Sequence, residues 1–184
     1  MKNFVLKYNQ INESVETSLD DFSIEEIRHL SEIGVINPDL YYIYAYVKDG
    51  SRLSLILRNT KLTHIPSWVK IVNGSLDIAQ SNIEEIPDDL TITGGITAYD
   101  SKLRNFTRNI VGGTLDIANT QVTKLPTGLI VKGSLDVSGL QFEEIPKDLK
   151  IYGKSFFIMS SNLEQFSDKE LHKMYKISGI IIRR

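Results

Sequence analysis

The chain has no cysteine. That excludes disulfide staples, thiolate metal ligands and cysteine nucleophiles, and it fits a reducing compartment. Long apolar runs are missing as well. Nothing approaches the roughly 20 residues a membrane-spanning helix requires, and the opening Met1-Lys-Asn-Phe-Val-Leu-Lys-Tyr8 has no signal-peptide core. The expectation is a cytoplasmic, soluble protein without a membrane partner. Excess charge of one sign is also absent: across 184 residues, 21 basic and 23 acidic groups leave a net of −2. No global field favours nucleic acid, and no extreme acidity favours mimicry of it. The balance is uneven, because residues 1–50 hold four Lys/Arg against nine Asp/Glu. An acidic N-terminal cap and ordinary solvated surface charge both account for that.

Proline is sparse, and its placement opens the chain's organisation. Four of the five prolines, Pro66, Pro87, Pro126 and Pro146, occupy one slot of an internal repeat. The segment Ser75-Leu-Asp-Ile-Ala-Gln-Ser-Asn-Ile-Glu-Glu-Ile-Pro-Asp-Asp-Leu-Thr-Ile-Thr-Gly94 recurs closely as Thr114–Gly133 and Ser134–Gly153, with looser copies from Ser54, Gly95 and Ser155. The first strand residue falls at Leu55, Leu76, Ile96, Leu115, Leu135 and Phe156, at intervals of 19 to 21 residues. Self-similarity at such a period marks a solenoid. Leu76 and Ile78 alternate with Ser75, Asp77 and Ala79, the pattern of a strand with one buried face. Ile83, Ile86 and Leu90 follow at turn-like spacing. Pro87 takes the chain out of the strand and across the back of the coil. Gly74, Gly94, Gly133 and Gly153 mark corners that favour a residue without a side chain. One such coil cannot bury its apolar stripe alone, whereas stacked coils about 4.8 Å apart can.

The pattern Leu-x-Ile/Val-x-x-Ser/Thr-x-apolar-x-x-Ile/Leu-Pro-x-x-Leu resembles the leucine-rich repeat family in its short bacterial and phage form, over about residues 52–171. The resemblance implies an α/β solenoid: a parallel β-sheet of about six 19–21-residue coils. The chain departs from the family where asparagine is usual, with Thr60, Ser81, Ser101, Thr120, Leu140 and Ser161 in that slot. The pair Leu90 and Ile92 departs from the common register too, so a generic parallel β-solenoid stays open. Residues 1–50 read as an N-terminal cap. A capping box at Ser23–Glu26 opens a helix from about Ile24 to Glu32, Tyr41–Val47 reads as a strand, and Asp49-Gly50 as a hairpin turn. Residues 51–166 form the solenoid. Residues 167–184 form a C-terminal cap, with a box at Ser167 and Glu170, a helix to Tyr175, and a strand at Ile180–Ile182 ended by Arg183 and Arg184. The short acidic helix and the Tyr41–Gly74 region, with the opening Asn-Gln-Ile-Asn-Glu-Ser, also resemble phage-encoded repeat proteins of the T4-like group, some of them packaged in the head.

In leucine-rich solenoids the residues that flank and separate the two buried strand positions face the concave sheet surface. The central column here is Ile56, Asp77, Thr97, Asp116, Asp136 and Phe157, flanked by Arg58, Tyr99 and Met159. Of these, Arg58, Asp77, Thr97, Tyr99, Asp116, Asp136, Phe157 and Met159 are the candidate partner-binding residues. Aromatic residues and methionine are the types that anchor interfaces. Asp116 and Asp136 are expected on adjacent rungs, where like charges repel. A basic protein surface, a bound cation, or bonds to neighbouring Ser and Thr would each relieve that. Glu84–Glu85 and Glu143–Glu144 read as a solvated edge. Tyr42, Tyr44 and Tyr46 alternate along the capping segment, as amphipathic packing or a second contact surface.

Catalytic constellations are not found. His29, His64 and His172 are scattered, with neither metal-motif spacing nor a nucleophile beside them. Thr93-Gly94-Gly95 and Val111-Gly112-Gly113 do not lead into helices, so they are not phosphate loops. Asp116 and Asp136 lie on an open sheet, without the pocket that raises a glycosidase acid. The expectation is a non-catalytic protein-interaction module without cofactor or metal. An accessory phage protein acting on a host factor in the bacterial cytosol fits this, and a structural or packaged virion component is the alternative. Lysines from Lys147 onward and the terminal arginines offer a weaker polyanion reading, set against the acidic residues among them.

Overall fold

Each coil begins with a pair of residues whose side chains part. Leu76 is fully buried while Asp77 is half-exposed, and the same inward–outward split recurs at Leu115–Asp116 and Leu135–Asp136. The structure, a computed structural model, describes residues 23–32, 39, 43, 46, 54–66, 69–175, 177 and 179–184. In it these pairs are strands of one parallel sheet: β1 (Leu55–Ile56), β3 (Leu76–Asp77), β5 (Ile96–Thr97), β7 (Leu115–Asp116), β9 (Leu135–Asp136), β11 (Ser155–Phe157) and β12 (Ile181–Arg183). The register puts Leu55, Leu76, Ile96, Leu115, Leu135, Phe156 and Ile182 in one column pointing inward. Backbone bonds carry the stack from coil to coil, as where Leu55, Leu57 and Asn59 donate to the carbonyls of Ser75, Asp77 and Ala79. The fold is a parallel β-solenoid of about five coils.

A second ladder runs along the opposite side. β2 (Ile71–Val72) pairs with β4 (Thr91–Ile92), and β6 (Ile110–Val111), β8 (Ile130–Val131) and β10 (Lys150–Ile151) form a second group, all parallel. Only a few residues separate each back strand from the next front strand, so the corner between them is tight. There Gly94, Gly133 and Gly153 donate to Gly74, Gly113 and Gly133. A Cβ on Gly153 would lie 2.2 Å from the backbone of Gly133 and Ser134. The constraint is the close approach of stacked backbones.

The back ladder breaks where one coil runs short. From Ile96 to Leu115 the interval is 19 residues, and the leucine that is almost fully buried at 90, 129 and 149 has no counterpart, Asn109 being exposed. Arg108 bridges the gap. Its guanidinium donates to the carbonyl of Pro87 at 2.8 Å and to that of Leu90, and partial burial pushes its pKa down.

The front strand ends at a residue in the left-handed region: Asn59, Gln80, Asp100, Asn119 and Ser160, with φ of 54–59°, and Gly139 at 77°. Small polar residues and glycine tolerate this conformation best. The next position is the hydroxyl column. The Ser81 and Ser161 hydroxyls donate to the carbonyls of Ile78 and Ile158 at 2.6 Å, and accept the N–H groups of Ile83 and Leu163 at 3.3 Å. Hydroxyls thus hold the bend where asparagine was the expected family residue. Leu140 has no hydroxyl, and there Asn162 reaches over from the next coil. Its amide accepts from the Phe142 N–H at 3.1 Å and donates to the Phe142 carbonyl at 2.8 Å.

At the N-terminal end α1 (Ile24–Glu32) lies where the capping box places it. Tyr41–Val47, expected as a strand, is corrected in its described members. Ile43 and Tyr46 are helical and both join the buried core; residues three apart share one helix face, and burial there overrides the local β-propensity of tyrosine and isoleucine. The Tyr46 hydroxyl accepts from the Asn73 N–H, so this tyrosine packs inward. Tyr42, Tyr44 and the Asp49-Gly50 turn lie outside the described residues. At the C-terminal end α2 (Asp168–Tyr175) starts with the Ser167–Glu170 box. Arg184 bonds Asp168 and the carbonyls of Glu164 and Phe166, tying β12 to the cap. No described helix is long and apolar enough to cross a membrane.

Candidate functional site

The parallel register builds the outward face of the front sheet in one step. Ile56, Asp77, Thr97, Asp116, Asp136, Phe157 and Arg183 stand in one column, each opposite the next. Arg58, Tyr99 and Met159 occupy the column two residues further along the strands. All eight expected residues therefore share a face, but they fall into three zones of different chemistry.

In the N-terminal zone Ile56 is 65% exposed, and the charges are already paired. Arg58 donates to the Asp77 carboxylate from Nε at 3.1 Å and from a terminal nitrogen at 2.8 Å. Its guanidinium also lies 5.5 Å from the centre of the Tyr99 ring, a cation–π distance. On the rung between them sits Ala79, fully buried. The central zone holds Asp116 and Asp136 on adjacent rungs. Among the described residues no cation pairs with either. Each is held locally: Oδ1 of Asp116 accepts the Ala118 N–H at 3.2 Å, and Oδ1 of Asp136 accepts the Ser138 N–H at 2.9 Å. Asp77 does the same with Ala79. Backbone amides two residues on, rather than Ser or Thr side chains, partner these aspartates. Burial pushes the Asp116 pKa up, and Asp136, Asp100 and Asp77 add to the rise, against the lowering effect of the Ala118 bond.

The C-terminal zone is apolar and open. Met159 is 56% exposed, Phe157 36% and Ile181 51%. Ile181 stands opposite Ser155 on the neighbouring strand, and Arg183 opposite Phe157. Ile181 and Arg183, residues of the C-terminal cap by sequence, share this face. The signal was there, because their spacing continues the strand alternation.

The flanking column is less available than its small residues suggest. The hydroxyls of Ser54, Ser75 and Ser134 accept the N–H groups of Ser75, Gly95 and Ser155, so they stitch coils together. The histidines do not converge: His29 is exposed on α1, His64 contacts Thr63, and His172 Nε2 lies 2.9 Å from the Ile180 carbonyl. Among the described residues no group of three His, Asp or Glu is placed to hold a metal ion.

Fold and face together define a parallel β-solenoid with one zoned, exposed sheet surface. Comparison with known proteins gives no match: no protein-family model fits the chain, and no curated protein or solved structure matches it.

Proposed function

We propose that the chain is a non-catalytic protein-interaction module and that the outward face of the front sheet is its binding surface. The observation that carries this is the exposed Phe157, Met159 and Ile181 cluster beside two aspartates that no described cation neutralises. Clustered, exposed aromatic and thioether side chains are the usual anchors of protein interfaces. The leucine-rich-like spacing supports this reading, since such solenoids use their regular sheet for recognition. The similarity of the opening residues to phage-encoded repeat proteins supports a host factor in the bacterial cytosol as the partner.

Affinity capture from a bacterial lysate tests the proposal. Binding should be lost on combined charge reversal of Asp77, Asp116 and Asp136, and on Phe157→Ser with Met159→Ser. Retention of the same partner by both folded variants would remove this face from consideration.

A further inference from the structure

The order of chemistries along the outward column specifies the partner more closely than "another protein". From the middle of the sheet to its C-terminal edge the column reads Asp116, Asp136, Phe157, Arg183, with Met159 and Ile181 widening the apolar step. Both aspartates lack a cationic partner among the described residues. Arg183 is exposed and makes no ion pair with any of them, whereas Arg184 is committed to Asp168.

Rungs of a parallel sheet lie about 4.8 Å apart, so the midpoint of the aspartate pair is about 7 Å from Phe157 and about 12 Å from Arg183. An extended chain places alternate side chains on one face about 6.7 Å apart and every fourth about 13 Å apart. We propose that the front face binds an extended peptide segment laid across the strands, with a basic residue at i, a large apolar residue at i+2 and an acidic residue at i+4. The basic group sits over Asp116 and Asp136, the apolar one on Phe157, Met159 and Ile181, and the acidic one on Arg183. Side chains carry this recognition, so the segment can run in either direction, provided the apolar residue stays in the middle. The inference rests on the front face being the binding surface.

The test is selection of random displayed 12-residue peptides on the immobilised full chain, then fluorescence anisotropy with a labelled winner. The expected winners carry basic-x-apolar-x-acidic or its reverse. Asp116→Asn with Asp136→Asn keeps the acceptors for Ala118 and Ser138 while removing charge, and should weaken binding at least 10-fold. Arg183→Glu should weaken it similarly, and changing the peptide's acidic residue to lysine should restore binding to that variant alone. No enrichment, winners without this order, or affinity unmoved by the aspartate pair would overturn the inference. A natural partner released by front-face variants but lacking such a segment would overturn it too, and leave the binding surface standing. A partner retained by those variants would overturn the surface itself.

Discussion

The hydroxyl column offers a quantitative test, because chemically similar residues in it do different things. Ser81 is almost fully buried, and its hydroxyl accepts the Ile83 N–H at 3.3 Å while donating to the Ile78 carbonyl at 2.6 Å. Ser81→Ala leaves that carbonyl with the Ser81 N–H, itself 3.3 Å away, but strips Ile83 of its acceptor. A buried donor left unpaired costs about 1–3 kcal/mol. For a chain of this size each kcal/mol moves the melting temperature by about 2–4 °C. The expected drop is therefore roughly 2–12 °C by circular dichroism, with urea unfolding agreeing in sign. Thr60 is the contrast, since its hydroxyl is buried without a partner. Thr60→Val keeps the shape, removes an unpaired polar atom, and should leave the melting temperature unchanged or raise it. Asn162→Ala should behave like Ser81→Ala or worse, because it orphans both the N–H and the carbonyl of Phe142. If Ser81→Ala and Thr60→Val shifted stability equally, the reasoning that hydroxyls hold the bend would be refuted.

Other substitutions probe the remaining parts. Tyr175 is buried edge-on against Phe156, its hydroxyl is unpartnered, and burial pushes its pKa up to about 12; Tyr175→Phe should melt no lower than the parent, and a fall beyond a few tenths of a kcal/mol would contradict that. Gly153→Ala, whose Cβ would strike backbone at 2.2 Å, should destabilise by about 1–3 kcal/mol or more in urea, as overpacking does. Asp116 has a folded-state pKa raised above its ordinary value, so its ionised form is disfavoured by folding, at a cost fully present at neutral pH and relieved as pH falls through the raised range. Asp116→Asn keeps the bond to Ala118 and stays neutral. Its melting temperature at pH 7 should equal or exceed the parent's, with the advantage shrinking as pH falls through the raised range and gone below about pH 3.9; an advantage that grew on acidification would reverse the sign and sink the argument.

Much of this architecture is legible in the chain because a repeat states each rule several times. The inward column from Leu55 to Phe156 and the outward column from Ile56 to Phe157 follow from period-two alternation locked to a 19–21-residue interval. The back ladder is fainter. Its outward position is apolar at Ile71, Ile110 and Ile130, so no polar–apolar contrast marks those strands. The left-handed column lies one residue before the hydroxyls: Asn59, Asp100 and Asn119 supply polar types suited to the bend, and the hydroxyls follow them. Arg108 was beyond sequence reasoning, because its role exists only where a missing leucine opens space between two particular coils. The tyrosine-rich Tyr41–Val47 misled for the opposite reason, its local composition outweighed at Ile43 and Tyr46 by burial in the core. For the site, residue positions were readable but their state was not. That Arg58 already neutralises Asp77, while Asp116 and Asp136 have no cation beside them among the described residues, is a matter of distances.

The central claim is that one face of this solenoid, and not the other, meets a partner. The direct measurement compares bacterial proteins retained by the parent chain, by a front-face variant (Phe157→Asp with Met159→Asp), and by a back-face variant at the exposed Ile110 (Ile110→Lys). All three should first be shown to melt cooperatively. One retained species should be common to the parent and the back-face variant and missing from the front-face variant. A species held equally by the front-face variant, or lost only with Ile110→Lys, would contradict it.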